Sequence, residues 1–424
     1  MRSRFKDIAT FTVGALLPLS WVAAQTQPAP PATAPGAAPP PAAAAPVAPV
    51  PAEPVLPPAV WQLRDAQELL FYIQQVGREG LNPVNYDPAG LDAVLRSGNP
   101  LAVSKAATDR FNLLSSDLAL GFVSRKDRKD WHVKDPDLDA AKQDALLRDA
   151  LARGRVAASL DGLLPTHPQY AALKNALTVT PKTETAKLNR IRLNMDRWRW
   201  LPRDLGSRYV IVNVPAYHVA LIEDGVTRWK QRAVAGKVST PTPQLSAMAT
   251  GVMLNPWWEV PTSISGEVAG KSGFVAVRGK DGKVQRWRQP PGPSNALGEL
   301  KFVMLNPYNI YLHDTNARSR FNSQIRAFSH GCVRTQNVVD LATQLLGDDG
   351  GEWTPEKIKA TIASKKTVQA NFVRPVPVYI VYFSSAALND GRIVDYADMY
   401  SRDAKAMTAL NSVRGSVGDL VASR

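Results

Sequence analysis

The sequence predicts an α+β protein in which an N-terminal helical domain precedes a mostly-β domain with a few helices. A chain of 424 residues has room for two or three domains of roughly 100–200 residues each, with ample sequence for a sizeable core. Apolar residues recur at helical spacing between Trp61 and about Thr180. After about Lys187, short strand-like runs are divided by Gly, Pro, Asn and Asp.

Residues 1–24 predict a secretory signal peptide. Basic residues open the chain, an apolar stretch runs from about Ile8 to Val22, and Val22-Ala23-Ala24 suits cleavage before Gln25. Thr, Pro and Ser interrupt this short stretch, so a permanent membrane-spanning helix is the less favoured interpretation. The protein is therefore expected to be secreted, and to touch the membrane only if the signal segment stays uncleaved.

Residues 25–58 are almost entirely Ala and Pro, with scattered Val and Thr. This composition cannot form a core, and it predicts an extended, semi-rigid tether. Two interpretations stay open for its role. The segment is either a spacer that holds the folded part away from the membrane surface or a permissive low-complexity linker.

Residues 59–180 are expected to form the helical domain. Leu69, Ile73 and Val76 repeat at helical spacing, and Gly77 follows as a stop signal. No histidine, cysteine or carboxylate pair in this region has the spacing of a catalytic or metal-binding site. We therefore interpret the region as an accessory domain.

Residues 187–403 are expected to form the mostly-β domain, and residues 404–424 a C-terminal tail. Asp224-Gly225, directly after a strand-like run, is a hairpin signal. Helices are predicted over Asn337–Leu346 and Thr354–Ala363. The strand-like runs are Arg208–Pro215, His218–Glu223, Val252–Asn255, Lys301–Leu305, Asn309–Asp314 and Val378–Phe383.

The formal net charge of +14 attracts anionic surfaces in general, whether nucleic acid, acidic lipid or an acidic wall polymer. The run RWRWLPR at Arg197–Arg203 interleaves basic and aromatic residues, as nucleic-acid stacking surfaces also do. In a secreted protein, this run is more often used for packing or for contact with carbohydrate or another ligand. No nucleic-acid partner is therefore expected. The single cysteine excludes an intramolecular disulfide framework and any multi-cysteine metal site.

The segment Asn309–Leu346 contains that cysteine, Cys332, and two of the five histidines. A secreted thiol without a disulfide partner is open to oxidation, so it is usually either buried or used. Cys332 lies among polar residues and a helix is predicted just downstream, so we interpret the thiol as used. The helix N-terminus and the nearby Arg334 are expected to lower the pKa of the thiol and favour the nucleophilic thiolate.

An acyl-transfer thiol also needs a base and hydrogen-bond donors for an oxyanion. His313 ends a strand-like run, from which it can return across a loop to act as the base. Asp314 could orient this histidine through its side chain or its backbone carbonyl, and the sequence leaves both open. Gly331 permits close approach of the backbone, and the amides of His330, Gly331 and Cys332 can converge as an oxyanion hole.

A zinc site formed by His313, His330 and Cys332 is the alternative interpretation of this segment. It offers three ligands without a recognised metal-binding spacing. We therefore expect no bound metal.

HDT at His313–Thr315 and SHGCVR at Ser329–Arg334 resemble the active-site signature of the L,D-transpeptidase family with the YkuD-type catalytic domain. The two motifs together are far more specific than an isolated cysteine and histidine. The resemblance covers most of residues 61–403 and implies a β-sandwich catalytic domain with a helical scaffold domain. Segments similar to the scaffold-containing YcbB-like branch of Gram-negative bacteria are Gly80–Asp87, Asn194–Pro215, Gly236–Pro243, Asn255–Ile264 and Gln289–Gly298.

The resemblance implies a peptidoglycan L,D-transpeptidase, which is a cysteine acyltransferase. Cys332 would attack the diaminopimelate carbonyl of a tetrapeptide stem and release D-alanine, with His313 as base and then as acid. The acyl group would pass to an amine of another stem, forming a cross-link between diaminopimelate residues. Asp314 would orient His313, and the amides of His330, Gly331 and Cys332 would stabilise the oxyanion. The substrate-binding residues implied are Arg334, Tyr311 and Ser329.

The same resemblance implies that no metal or organic cofactor is needed and that carbapenems acylate the cysteine. It also implies a role in cell-wall biogenesis and cell shape, in the periplasm of a Gram-negative bacterium. Peptidoglycan stem peptides would serve as donor and acceptor, and peptidoglycan synthases or hydrolases are the protein partners to expect.

Two segments depart from the pattern of this branch. The gap at about Thr178–Lys187 leaves no room for the small peptidoglycan-binding module of many relatives, and the stretch Ile264–Gln289 is short for their lid. Wall anchoring and substrate gating are therefore open. The alternative functions are an L,D-carboxypeptidase, attachment of a lipoprotein lysine or a free D-amino acid, and a non-catalytic wall-binding protein. The intact cysteine and histidine motifs speak against the last of these.

Overall fold

A computed structural model describes residues 57–347, 350, 352–388 and 391–415. The predicted signal peptide and nearly all of the predicted tether lie outside these residues. The helical and β parts belong to one compact unit, Pro57–Arg424. No helix in the described part of the chain is both long and apolar enough to cross a membrane.

Seven α-helices precede the first strand within the described residues; six lie in the region 59–180 predicted to be helical, and the seventh, α7, lies beyond it, where strands were expected. Asn99 shows how one of them starts, because its side chain accepts hydrogen bonds from the amides of Leu101 and Ala102, both at 3.1 Å. Proline occupies the first position of that helix, where its missing amide costs nothing. The helices are α1 Leu63–Gln75, α2 Pro88–Ser97, α3 Pro100–Leu120, α4 Ala140–Arg153, α5 Val156–Asp161, α6 Pro168–Val179 and α7 Thr185–Trp198.

The helical region has its own core. Leu69, Ile73 and Val76 of the predicted stripe are all fully buried in it. A later helix, α11, formed by Asp403–Leu410, returns to this core, where its Leu410 is buried. Residues 404–424, predicted as a tail, therefore begin as a helix that packs on the helical region.

Fourteen strands follow within the described residues, and nine of them form one sheet. Its order is β10-β3-β11-β9-β8-β4-β12-β1-β2, and β3 also pairs with β2, so the sheet closes back on itself. The strands are β1 Arg208–Asn213, β2 His218–Glu223, β3 Val226–Gly236, β4 Leu245–Leu254, β5 Trp258–Glu259, β6 Val275–Arg278, β7 Val284–Gln289, β8 Leu300–Val303, β9 Leu312–His313, β10 Ala327–Ser329, β11 Val333–Thr335, β12 Val368–Val381, β13 Ser385–Ala387 and β14 Ile393–Asp395.

Several sequence predictions are confirmed in this region. Asp224 and Gly225 both have positive φ and turn β2 into β3, as the hairpin signal predicts. Two helices, α9 over Val338–Gly347 and α10 over Pro355–Ala363, lie where they are predicted. The fold is thus α+β, with a mostly-β region and an N-terminal helical region.

Each face of the large sheet packs in part against helices. One face packs against α9 and α10, with Leu341, Leu345 and Ile358 in the shared core. The other face packs against α6 and α7, with Leu173 and Trp198 in a second core. This second core joins the helical region to the sheet.

Residues 258–289, which include the stretch Ile264–Gln289 expected to be short for a lid, form a small folded unit. Strands β5, β7 and β6 make a three-stranded sheet, and the one-turn helix α8, Ser265–Val268, lies beside it. Val260, Ile264 and Val268 form its separate core, against which Trp258 packs. We call residues 258–289 the lid.

Candidate active site

Strand pairing brings the predicted cysteine and histidine together. β9 and β11 are parallel neighbours, with Leu312 opposite Val333 and His313 opposite Arg334. The Val333 amide donates a hydrogen bond to the Tyr311 carbonyl oxygen at 3.1 Å. Cys332 directly precedes β11, so its thiol lies beside the strand that ends at His313.

Burial governs the state of the Cys332 thiol. It raises the pKa of the thiol to about 11, although the Tyr311 hydroxyl and the charges of Lys301 and Arg334 act in the opposite direction. The thiol also lies 3.6 Å from the Asn309 carbonyl oxygen. The thiol is therefore protonated at neutral pH in the resting protein.

The expectation of a lowered thiol pKa at a helix N-terminus is thus wrong. The sequence placed the helix just downstream of Cys332, but strand β11 lies between them and α9 begins only at Val338. The dipole effect of a helix falls off within its first turn. Without that help, the loss of hydration on burial outweighs the nearby cations.

His313 is buried and held in one orientation. Its Nδ1 lies 2.5 Å from the Asp314 carbonyl oxygen. Because a carbonyl can only accept, Nδ1 carries the proton and Nε2 keeps its lone pair. Burial and the charge of Arg334 lower the pKa of the imidazole to about 3, so the ring is neutral and can act as a base.

The alternatives for Asp314 are resolved in favour of its backbone. Its carboxylate accepts hydrogen bonds from the Glu299 amide at 3.0 Å and from Arg318 at 2.9 Å. Gly298 leaves room for this carboxylate, because a Cβ at that position would lie 2.2 Å from Oδ2. The side chain of Asp314 therefore braces the loop before β8, while its carbonyl orients His313.

The loop between β10 and β11 is held by two hydroxyl groups. Ser329 Oγ accepts from the Gly331 amide at 3.2 Å and donates to the Cys332 carbonyl oxygen at 2.5 Å. Thr242 Oγ1 donates to the Gly331 carbonyl oxygen at 2.8 Å. Gly331 has a φ of 113°, which a side chain would strain. Ser329, predicted to bind substrate, is buried within the loop and shapes it, and Thr242 is a residue that the sequence did not single out.

The three predicted oxyanion donors are not equivalent in the resting site. The Gly331 amide is occupied by Ser329 Oγ. The amides of His330 and Cys332 have no protein partner among the described residues. The His330 side chain points to the lid, where its Nε2 lies 3.2 Å from a Glu267 carboxylate oxygen.

Tyr311, just before β9, and Arg334, on β11, are the other two residues predicted to bind substrate. The Tyr311 ring meets the His313 ring edge-on at 5.7 Å, and its hydroxyl hydrogen-bonds to the Cys332 thiol. Trp258 of the lid hydrogen-bonds to the same hydroxyl. Burial raises the pKa of Tyr311, and this hydrogen bond acts in the opposite direction. Arg334 is half-buried, and its Nε has no hydrogen-bond partner in the described part of the chain.

Lys301 is a site residue that the sequence reasoning missed. It pairs with His313 across β8 and β9, and its Nζ lies 5.1 Å from the centre of the Tyr311 ring. Its charge and that of the Cys332 thiolate favour each other. The only sequence signal was its place in the predicted strand Lys301–Leu305.

A cavity of about 610 Å³ adjoins the loop that carries Cys332. Pro241 and Ile310 line it on the side of Gly331, and Ile310 Cδ1 lies 3.1 Å from where a Cβ on that glycine would be. Lys129, from the helical region, lines the other side. The site therefore offers a thiol, a neutral base, free amides and an adjoining space for an extended substrate.

The described residues contain no cluster of three or more His, Cys, Asp or Glu side chains that could hold a metal ion. Two of the three ligands in the alternative zinc hypothesis have other partners. Nδ1 of His313 donates to a carbonyl, and the ring of His330 contacts Glu267. The arrangement favours nucleophilic catalysis by the thiol.

Comparisons with known proteins place two parts of the chain in described families. Residues 207–380 match the YkuD family, described as the L,D-transpeptidase catalytic domain, and residues 59–177 match the Scaffold domain. The Haemophilus influenzae protein named "Putative L,D-transpeptidase" is 31% identical over 240 residues, which cover 50% of this chain and 48% of that protein. The chain thus spans about half the length of this curated relative.

Solved structures of L,D-transpeptidases match part of the chain. A mutant of the Enterococcus faecium enzyme is 14% identical with a TM-score of 0.22, over 43% of this chain and 52% of that one. L,D-transpeptidase 3 from Mycobacterium tuberculosis, in complex with a faropenem-derived adduct, is 12% identical with a TM-score of 0.23, over 41% and 60%.

Proposed function

This chain belongs to the L,D-transpeptidase family, with the YkuD catalytic domain at residues 207–380 and the Scaffold domain at residues 59–177, and on that premise we propose that it cross-links peptidoglycan through Cys332. The donor is a tetrapeptide stem that ends in diaminopimelate and D-alanine. The observation that supports the proposal is the pairing of β9 with β11, because it makes the strand that ends at His313 a neighbour of the strand that directly follows Cys332.

In the first half-reaction the thiol proton moves to Nε2 of His313 as Sγ attacks the carbonyl of the L-centre of diaminopimelate. The resulting tetrahedral intermediate collapses when the imidazolium gives this proton to the nitrogen of the leaving D-alanine. The carbon–nitrogen bond breaks, and a thioester on Cys332 remains. His313 is neutral again at the end of this step.

In the second half-reaction an amine of another stem attacks the thioester. His313 takes the proton from the attacking nitrogen and returns it to Sγ as the carbon–sulfur bond breaks. The product is an amide between two diaminopimelate residues. No step requires a metal or an organic cofactor.

Transfer of a proton from the resting thiol, with a pKa of about 11, to the resting imidazole, with a pKa of about 3, is uphill, so it must accompany attack on the carbonyl. The resting thiol and imidazole are both neutral, so the nucleophile is generated as the reaction occurs. The amides of His330 and Cys332 are available to the developing oxyanion. Lys301 and Arg334 are cations that favour the thiolate and the oxyanion over their neutral forms.

The cavity beside Gly331 is the proposed space for a stem peptide, and Tyr311 and Arg334 are its contacts near the thiol. The lid covers the other side through Trp258 and Glu267. β-Lactams of the carbapenem class are expected to acylate the thiol of Cys332. The proposed location is the periplasm of a Gram-negative bacterium, with wall synthases or hydrolases as protein partners.

The test is incubation of the protein with purified tetrapeptide-rich muropeptides, followed by mass spectrometry of the products. Cross-linked dimers, with release of D-alanine, are the expected result. Tripeptides without dimers would instead assign the carboxypeptidase activity, with water as acceptor. A Cys332→Ala variant that keeps full activity would refute the proposed nucleophile.

A further inference from the structure

A second cavity, of about 540 Å³, lies at the far end of β11 from the thiol and is lined by three cations, Lys230, Arg232 and Arg326. Lys230 and Arg232 are exposed and Arg326 is half-buried, so the cavity opens to solvent. We call these three residues the basic cluster. None of them belongs to the catalytic site described above.

The basic cluster has no acidic partner among the described residues. The Arg326 guanidinium donates only to backbone carbonyls, those of Ala233 at 3.2 Å, Ser323 at 3.0 Å and Tyr217 at 3.2 Å. Arg232 donates to the Phe321 carbonyl at 3.3 Å and the Asn322 side chain at 3.1 Å. Lys230 has no hydrogen-bond or ion-pair partner in the part of the chain that the structure describes.

Arginines elsewhere on neighbouring elements do have carboxylate partners. Arg228, also on β3, lies 3.7 Å from Glu223, and Arg318 lies 2.9 Å from Asp314. The basic cluster is therefore a local exception to the charge pairing around it.

The cations of the cluster repel one another and their neighbours. Burial and the charge of Arg232 lower the pKa of Arg326. His218, on the wall of the same cavity, has its pKa lowered to about 4, chiefly by burial and then by Lys230, with a further contribution from Arg326. A bound anion would relieve this repulsion and accept hydrogen bonds from the planar guanidinium groups.

The cavity and the loop that carries Cys332 lie at the two ends of β11. Gln336 lines the cavity, and its amide donates to the Arg232 carbonyl at 3.0 Å. Cys332 lies four residues before Gln336 along β11, which corresponds to about 13 Å of extended chain. A peptidoglycan chain bound at the basic cluster could therefore place another of its stem peptides at the thiol.

We propose that Lys230, Arg232 and Arg326 form a second binding site, which holds carboxylate groups of a peptidoglycan strand away from the reacting stem. The identity of the ligand rests on the proposed function, because stem peptides containing diaminopimelate carry free carboxylates. The site would keep the enzyme on its polymer between transfers. Lys230 and Arg232 lie on β3 and Arg326 lies just before β10, and such an open row of cations suits an extended polymer with repeated carboxylates better than a small enclosed ligand.

The test is co-sedimentation of the protein with purified peptidoglycan sacculi, comparing the wild type with a Lys230→Glu/Arg232→Glu variant. The matched control is Lys182→Glu/Lys359→Glu, which changes the net charge equally at exposed lysines outside the cavity. The cluster variant is expected to bind on the order of ten-fold more weakly than the wild type, and the control to bind like the wild type. Chemical amidation removes the carboxylates of the sacculi. The wild type should bind amidated sacculi weakly, to the same extent as the cluster variant binds native sacculi.

Equal binding by the cluster variant and the control variant would overturn the proposal. A second outcome would favour a membrane site and overturn the proposal. In it, the wild type binds vesicles of anionic phospholipid but not sacculi, and the cluster variant does not bind the vesicles. Thermal unfolding checks that each variant is folded, and Lys230→Gln replaces the double variant if that one is not. Sedimentation needs no turnover, so it tests this site separately from the muropeptide assay of the proposed function.

Discussion

His313 Nδ1 lies 2.5 Å from the backbone carbonyl oxygen of Asp314, the residue that follows it in the chain. This contact fixes the tautomer of the imidazole and leaves Nε2 free to take a proton from the thiol. The orienting group is therefore a peptide carbonyl and carries no charge. Substitution of Asp314 changes its carboxylate but keeps its backbone carbonyl, so it can test which of the two orients His313.

Asp314→Asn is expected to lower the rate of D-alanine release by less than about ten-fold, because it leaves the orienting carbonyl in place. His313→Gln is expected to lower the same rate by roughly 10²–10⁴-fold, the range typical of a lost general base. The measurement is kcat/KM with a soluble tetrapeptide stem. Equal losses in the two variants would mean that the carboxylate, not the carbonyl, supports the histidine.

The resting thiol is expected to react with iodoacetamide faster as pH rises, without a plateau between neutral pH and about pH 10. The reason is the raised pKa of Cys332, about 11, so that the thiolate fraction grows throughout this range. Mass spectrometry of the alkylated protein gives the rate at each pH. A plateau starting near neutral pH would contradict the prediction, because it would indicate a preformed thiolate–imidazolium pair.

Lys301→Met is expected to shift the pH dependence of this alkylation upward, because it removes a cation that stabilises the thiolate. Lys301→Arg, which keeps the charge, should leave the profile near that of the wild type. Acylation by a carbapenem should also slow in the methionine variant, because the thiolate loses the stabilising charge of Lys301. Identical profiles for both variants would leave Lys301 with a packing role only.

Acid is expected to destabilise the fold through three histidines, the buried His313 and the partly buried His167 and His218. Burial lowers the pKa of His167 and His218 to about 4 and that of His313 to about 3. A histidine with a depressed pKa contributes stability above its unfolded value of about 6.5, and this contribution is lost as pH falls towards the folded value.

The measurement is the urea midpoint of unfolding at neutral pH and near pH 4.5. His218→Gln removes one of these titrating groups, so the fall in midpoint between the two pH values should be smaller than in the wild type. An equal fall would show that His218 does not contribute to the acid sensitivity.

The proposed nucleophile and base could be singled out from the sequence because they stand in short, chemically unusual motifs. Cys332 is the only thiol and lies among polar residues, and His313 ends a strand-like run. The helices α9 and α10 and the turn at Asp224-Gly225 were predictable for a similar reason, since caps, apolar stripes and turn residues are local signals.

The electrostatics of the site were not predictable, because they depend on which strands become neighbours. Lys301 reaches the thiol only because β8 pairs with β9, and β9 with β11. The thiol pKa depends on burial at that junction, which the polar sequence around Cys332 does not reveal. Ser329 likewise looked like a substrate contact, but the loop turns its hydroxyl inward.

The lid and the returning helix were missed for a different reason. Strands β5, β6 and β7 are short or polar, so their period-2 signal is weak, and the small core of Val260, Ile264 and Val268 exists only after they pair. Helix α11 is short, and its place against the helical region is set by contacts far away in sequence.

The most direct test of the account is mass spectrometry of the protein trapped during reaction with a tetrapeptide stem. The account predicts one adduct per protein, a thioester on the peptide that contains Cys332, formed as one D-alanine is released. Release of D-alanine while Cys332 stays unmodified, and at an undiminished rate in Cys332→Ala, would contradict it.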